Sequence, residues 1–201
     1  LYLNGEKIEN LVIPESVTNI KKYSFCGNSA LKSVVCNDEL ESIGAYAFVS
    51  CSDLTSVTIS GNVTAIGDNA FGSTNVSELT FAYGTESVEI GSDAFPKPPT
   101  KLFWDRPIES MNFNFSYLKS LTIGNSVTEV PAAKFKEVSG LTQLALGSGL
   151  KSIADEAFSG CTSLTEVIVP PTVEVIGASA FAGDRKLTSI IMGHNVKSIG
   201  E

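Results

Sequence analysis

LTSVTISGNVTAIGDNAF, residues 54–71, sets a spacing that most of the remaining chain repeats. With Leu54 as position 1, Val57 is 4, Ile59 is 6, Val63 is 10, Ile66 is 13, Ala70 is 17 and Phe71 is 18. Leu31 and Leu54 are 23 residues apart, as are Leu118, Leu141, Leu164 and Leu187 in succession. Apolar residues at 4 and 6 alternating with outward 3, 5 and 7 predict a short strand, and positions 1, 4 and 6 do not make one face of a long helix. Ile-Gly at 13 and 14 (Ile43-Gly44, Ile66-Gly67, Ile176-Gly177) predicts a bend that glycine makes without steric cost. Ala-Phe then predicts a single helical or 3-10 turn that carries Phe into the core.

A fixed period in the twenties carrying L-x-x-L-x-L marks a leucine-rich-repeat solenoid. The expected class is α/β: a right-handed β-α superhelix with one short parallel strand per coil of about 23 residues and short helical or 3-10 turns opposite. Stacking puts like residues over like, so position 4 forms one ladder (Leu11, Val34, Val57, Leu79, Leu102, Leu121, Leu144, Val167, Ile190). Phe25, Phe48, Phe71, Phe95, Phe135, Phe158 and Phe181 form another. No coil buries its own apolar edge, so stability comes mainly from neighbour interfaces and the ends need caps. Leu1 to Leu3 is a candidate partial cap, a strand covering the first coil's edge, with Asn4-Gly5 as a turn. Residues 1–201 read as one domain with irregular coils over 76–117 and a truncated repeat over 187–201. A chain that opens without Met and stops midway through a repeat reads as a piece of a longer protein.

The irregular segment has its own logic. From Val76 the Ile-Gly pair (Ile90-Gly91) arrives two residues late, so 83–87 must bulge. Pro96, Pro98 and Pro99 forbid a continuing helix. The next coil puts Leu102, Trp104, Ile108 and Met111 at positions 4, 6, 10 and 13, lacks its ladder Phe, and reaches Leu118 early. Phe113 or Phe115 is the substitute.

The combination in Leu164 to Phe181 and Leu141 to Cys161, LTSVxIPxxVxxIGxxAFxxC, resembles the BspA-type leucine-rich repeat of bacterial surface proteins over almost the whole chain. The resemblance implies a cell-surface or secreted protein of a bacterium, acting in adhesion or host-protein interaction, with a protein or extracellular-matrix macromolecule as partner. It carries no catalytic residues across.

A net charge of −8 and a pI near 4.7 argue against binding phosphate backbones, which needs clustered Lys and Arg. Nucleic acid is therefore not an expected partner. No apolar run reaches the length of a membrane span. The four cysteines, Cys26, Cys36, Cys51 and Cys161, make no zinc spacing. They read as free buried thiols, with Cys36 an inward apolar filler at position 6; the alternative is a Cys26 to Cys51 bridge. His194 stands in a turn with no nucleophile motif beside it. Asp38-Glu39 and Asp155-Glu156 are solvated turn residues without a calcium pattern. The sequons at Asn62, Asn75 and Asn114 read as chance matches. No enzyme, cofactor or metal is expected.

Binding is the remaining class of chemistry. Outward position 5 reads Val12, Val35, Thr58, Thr80, Phe103, Thr122, Ala145, Ile168 and Ile191. β-propensity alone accounts for such a row; the functional alternative is an exposed sticky strip. Aromatics crowd the irregular segment either as repair of damaged repeats or as a recognition loop. The candidate binding residues are Tyr83, Phe103, Arg106, Ile168 and Ile191, with Tyr83 and Arg106 expected to be exposed. Two functions follow: a non-enzymatic binding module presenting its strand face, or a structural spacer or self-associating scaffold carrying other domains.

Overall fold

The computed structural model describes residues 2–3 and 6–201. They fall into two compact units, Leu1–Pro99 and Thr100–Glu201, each a parallel β-solenoid. The first unit contains β1 (Tyr2–Leu3), β2 (Glu6–Lys7), β3 (Asn10–Val12), β4 (Asn19–Ile20), β5 (Ser33–Val35), β6 (Ser42–Ile43), β7 (Ser56–Ile59), β8 (Ala65–Ile66), β9 (Glu78–Phe81) and β10 (Glu89–Ile90). The second contains β11 (Lys101–Trp104), a 3-10 turn (Ile108–Ser110), β12 (Ser120–Ile123), β13 (Glu129–Val130), β14 (Gln143–Leu146), β15 (Ser152–Ile153), β16 (Glu166–Ile168), β17 (Val175–Ile176), β18 (Ser189–Ile191) and β19 (Ser198–Ile199).

Each regular coil has two strands where one was expected. In the first unit β3, β5, β7 and β9 stack in parallel with position 4 over position 4, Leu11↔Val34 and Val57↔Leu79 among them. The short β4, β6, β8 and β10 stack separately, Ile20↔Ile43 and Ile43↔Ile66 in register. The second strand forms because the position-13 residues Ile20, Ile43 and Ile66 point inward and the following amide bonds back one coil, as Gly67 N donates to Ile43 O at 2.8 Å. The two-residue delay before Ile90 is absorbed ahead of β10, which pairs with β8 as Ile90↔Ile66. β1 pairs antiparallel with β2, Tyr2↔Lys7, and not with the edge of the first coil among the described residues. Leu1 and the Asn4-Gly5 turn lie outside those residues.

The helical turns expected around Ala-Phe are absent from the described coils, and the hydrogen bonds say why. Amides at even positions donate to the next coil: Tyr46 N to Asp68 O at 3.0 Å, Phe48 N to Ala70 O at 2.7 Å and Ser50 N to Gly72 O at 2.8 Å. Those at odd positions reach back three residues: Ala47 to Gly44, Val49 to Tyr46 and Cys51 to Phe48, each at 3.2 Å. Coil 141–163 repeats the division, with Phe158 N on Ala180 O and Ala157 N on Ala154 O. A helix would send every amide back four residues; here half of them hold the neighbouring coil. The alternation needs left-handed backbone at position 16, and Tyr46, Asn69, Glu156 and Ser179 all have φ between 51° and 58°. The only described helix is the 3-10 turn at Ile108–Ser110.

The Phe ladder stands as expected. Phe25, Phe48, Phe71 and Phe95 stack at 5.0, 5.1 and 4.7 Å between centroids, and Phe135, Phe158 and Phe181 at 5.3 and 5.6 Å. Phe48, Phe71, Phe135 and Phe158 are fully buried. In the coil without a ladder Phe, Phe115 takes the place, tilted 54° against Phe135 at 5.2 Å, while Phe113 packs edge-on against Trp104. Lys134 stands where Ala is usual and donates from Nζ to Met111 O at 2.6 Å.

Glycine at position 14 answers a close approach, and not a special bend. None of Gly44, Gly67 and Gly177 has positive φ, yet a Cβ would lie 2.6, 2.4 and 2.4 Å from the backbone N of Lys22, Ala45 and Asp155 in the preceding coil. All four cysteines are free. Cys36, Cys51 and Cys161 are buried, but Cys26 is exposed. Cys51 and Cys161 donate from Sγ to Phe25 O (3.2 Å) and Phe135 O (3.4 Å) one coil back.

Candidate binding face

The outward residues of the long strands form the candidate surface of each unit. In the first unit Val12 and Val35 are exposed, and Thr58 and Thr80 are half-buried. Tyr83 is 63% exposed in the bulge before β10, as its place predicted. That bulge is held close to the turn after β7, since a Cβ on Gly61 would fall on Tyr83 O.

The second unit holds the other four candidates, and they separate. Ile168 (58% exposed) and Ile191 (52%) face each other in register across β16 and β18. Phe103 is half-buried in β11 beside Thr122. Arg106 corrects the expectation outright: it is 1% exposed and ranks among the largest buried side chains. The early return to Leu118 draws its loop inward, and Trp104 Nε1 donates to Arg106 O at 3.0 Å, pinning the backbone against the core. Burial holds its guanidinium below the usual arginine range. It cannot present a surface contact.

A feature the sequence did not announce lies beside Ile168. β11, β12 and β14 pair in parallel over four residues each, and β16 pairs with β18 over three. Between β14 and β16 no ladder exists among the described residues, and the strands belong to separate sheets. Thr142 N bonds Lys119 O at 2.9 Å and Thr188 N bonds Thr165 O at 3.0 Å, whereas Thr165 N makes no such bond to Thr142 O. A cleft of ≈ 400 Å³ on this face spans β12, β14 and β16, with Leu121, Thr122, Leu144, Ala145, Glu166 and Ile168 among its lining residues. Leu144, an inward residue buried at the equivalent places Leu121 and Val167, is half-exposed at its floor.

The same two coils stay laced elsewhere. Ser152↔Val175 and Ile153↔Ile176 pair in register, and Phe158 N bonds Ala180 O at 2.9 Å. The gap is therefore confined to the strand face. Pro170 at position 7 has no N–H to give, but this is not the cause, since β12–β14 and β16–β18 pair without a bond from Gly147 N or Gly193 N at that position. The 23-residue interval from Leu141 to Leu164 is otherwise regular, so spacing carried no sign of it.

Residues 2–102 and 106–201 match the model described as the BspA type leucine rich repeat region, in 6 copies. A leucine-rich repeat protein from Bacteroides ovatus superposes with a TM-score of 0.54 at 25% identity, covering 96% of this chain and 57% of that one. The chain thus spans little more than half of that protein's length. A leucine rich cell surface protein from Faecalibacterium prausnitzii gives 0.38 at 20% identity, covering 90% and 72%. The leucine-rich repeat protein of T. pallidum gives 0.45 at 23%, covering 90% and 79%. No curated protein matches significantly. The family model spans nearly every coil, regular and irregular alike, and the chain belongs to the BspA-type leucine-rich-repeat family.

Proposed function

We propose that this chain is a non-enzymatic binding module of a bacterial surface or secreted protein, and that it takes a protein or extracellular-matrix partner on the strand face of its second unit. The observation that carries this reading is the in-register pair Ile168 and Ile191, two branched aliphatics more than half exposed on adjacent strands. Contiguous exposed apolar surface beside polar residues is the usual mark of an interaction site. Family membership supports a surface location, and the printed description of the F. prausnitzii relative as a cell surface protein is consistent with it.

The test is capture of solubilised extracellular-matrix proteins by the immobilised chain, followed by Ile168→Lys and Ile191→Lys. Val175→Lys is the control, because Val175 is also exposed and aliphatic but belongs to the short-strand stack. Each row variant should lose about 2 kcal/mol of binding if its side chain is desolvated in the contact, with Val175→Lys unchanged. Equal binding by all three and wild type would favour the spacer role.

A further inference from the structure

Position 21 of the regular coils is a place for hydrogen-bond donors. Asn28 Nδ2 and Thr74 Oγ1 each donate at 2.7 Å to the ladder-Phe carbonyl of their own coil, Phe25 O and Phe71 O. Cys51 Sγ and Cys161 Sγ donate at 3.2 and 3.4 Å to the ladder-Phe carbonyl one coil back, Phe25 O and Phe135 O. Val138 is the apolar occupant, buried without a polar atom to satisfy. Asp184 stands at the same position in coil 164–186. It sits as the two cysteines do: its carboxyl faces the Cys161 amide one coil back, as Cys51 faces the amide of Asn28 and Cys161 that of Val138. The carbonyl in the corresponding place is Phe158 O, which takes only the Cys161 amide, at 3.2 Å, among the described residues. A carbonyl has two lone pairs, so one is left open beside a carboxyl whose two oxygens are buried and lack a hydrogen-bond partner. An ionised carboxylate can only accept, and two buried acceptors facing each other leave both unsatisfied.

We propose that Asp184 is a proton-operated latch: a proton taken from solvent lets its carboxyl O–H donate to Phe158 O, as the cysteine S–H does one coil earlier, and fastens coil 164–186 to the coil before it. One proton then satisfies two acceptors that otherwise oppose each other. The cysteines hold their proton throughout, since burial pushes Cys161 up to about 12. The carboxyl holds its proton only in acid, since burial raises it from 3.8 to about 6. The folded value is the higher one, so the fastening is complete below about pH 3.8 and is released as pH rises through about 6. The titratable and charged groups around Asp184 are Cys161 behind it, Arg185 on the same opening of ≈ 410 Å³, the following Lys186, and Glu137, whose side chain passes beside Gly160. None makes an ion pair with it among the described residues. The coil so fastened carries Ile168, but the latch holds whether or not the strand face takes a partner.

The test is amide hydrogen exchange on the whole chain under reducing conditions, followed at Phe158 and Gly160, whose amides bond to Ala180 O and Ala182 O of the latched coil at 2.9 and 2.8 Å. Their protection, taken against the intrinsic rate at each pH, should fall about fivefold from pH 5 to pH 7. The Phe25 and Gly27 amides, bonded in the same way to the coil that carries Cys51, should keep theirs. Asp184→Cys supplies a donor that keeps its proton, so its protection should be flat between the two pH values and at least equal to that of wild type at pH 5. Asp184→Val removes the charge and supplies no donor. Its protection should also be flat, but lower than in Asp184→Cys by about fivefold, the worth of one hydrogen bond. Both residues already occupy position 21, at Cys51, Cys161 and Val138, so the fold accepts them. Protection in wild type that is the same at pH 5 and pH 7, or an equal change at Phe25 and Gly27, overturns the latch. Equal protection in the Cys and Val variants also overturns it, leaving only the cost of burying a charge.

Discussion

The thiols carry the sharpest statement about single residues. Burial pushes the Cys36 and Cys161 thiols up to about 12, and burial likewise raises Cys51. The nucleophile is the thiolate, so these three should be nearly inert in the folded chain. Cys26 is exposed in its turn. A maleimide titration at pH 8 should therefore show one fast group and three that are slower by at least about a hundredfold, with all four titrating in denaturant without reductant. Two fast groups would place a second thiol at the surface and contradict the burial of Cys51. Cys36 was legible because inward direction follows from strand alternation alone. Cys26 was not, because position 19 is exposed there, half-buried at Val49 and buried at Gly72, so the repeat pattern does not fix its exposure.

Among the elements, the long strands were readable from Leu, Val and Ile spacing, and their registers place position 4 on position 4 as that spacing requires. The turn opposite was misjudged as helical because Ala-Phe has the local look of a helical turn, while its amides are claimed by another coil twenty-odd residues away. The same distance in sequence hides the reason for glycine at position 14. Gly177→Ala would set a Cβ 2.4 Å from Asp155 N, and backbone cannot yield as a flexible side chain does. Such overpacking costs about 1–3 kcal/mol, which a urea-unfolding midpoint resolves. Ala154, at the equivalent place one coil earlier, already carries a Cβ, so Ala154→Gly should give no comparable gain. An unfolding midpoint for Gly177→Ala equal to wild type would mean that the coils spread freely, and would remove close stacking as the reason for this glycine.

At the scale of the whole chain, acidity governs both dispersion and one pH effect. A net charge of −8 keeps copies apart near neutrality. Asp184 works against folding in the same range. Burial raises its carboxyl from 3.8 to about 6; the nearby Cys161 and Gly160 amides offset this only partly, being already committed to Phe158 O and Ala182 O. Neither of its oxygens has a hydrogen-bond partner. Because the folded value is the higher one, the stability tied to the protonated acid is complete below about pH 3.8 and is lost as pH rises through about 6. Asp184→Asn should therefore raise stability at pH 7 by about 1 kcal/mol after allowance for solvent screening, and the gain should vanish by pH 4. A variant whose advantage is the same at both pH values would show that the charge is not responsible. Repetition made the architecture plain, while the candidate surface was only half readable: Ile168 and Ile191 follow from strand alternation, but the burial of Arg106 in the short coil and the missing ladder between the equal coils of β14 and β16 are set by packing that spacing does not report. The shared turn amides have a further consequence for descent. A conformation enforced by the adjoining copy needs no letter of its own, so position 16 can hold Tyr, Asn, Glu or Ser and keep the same left-handed turn. Such a copy is spelled by its neighbours, and its own text is free to drift.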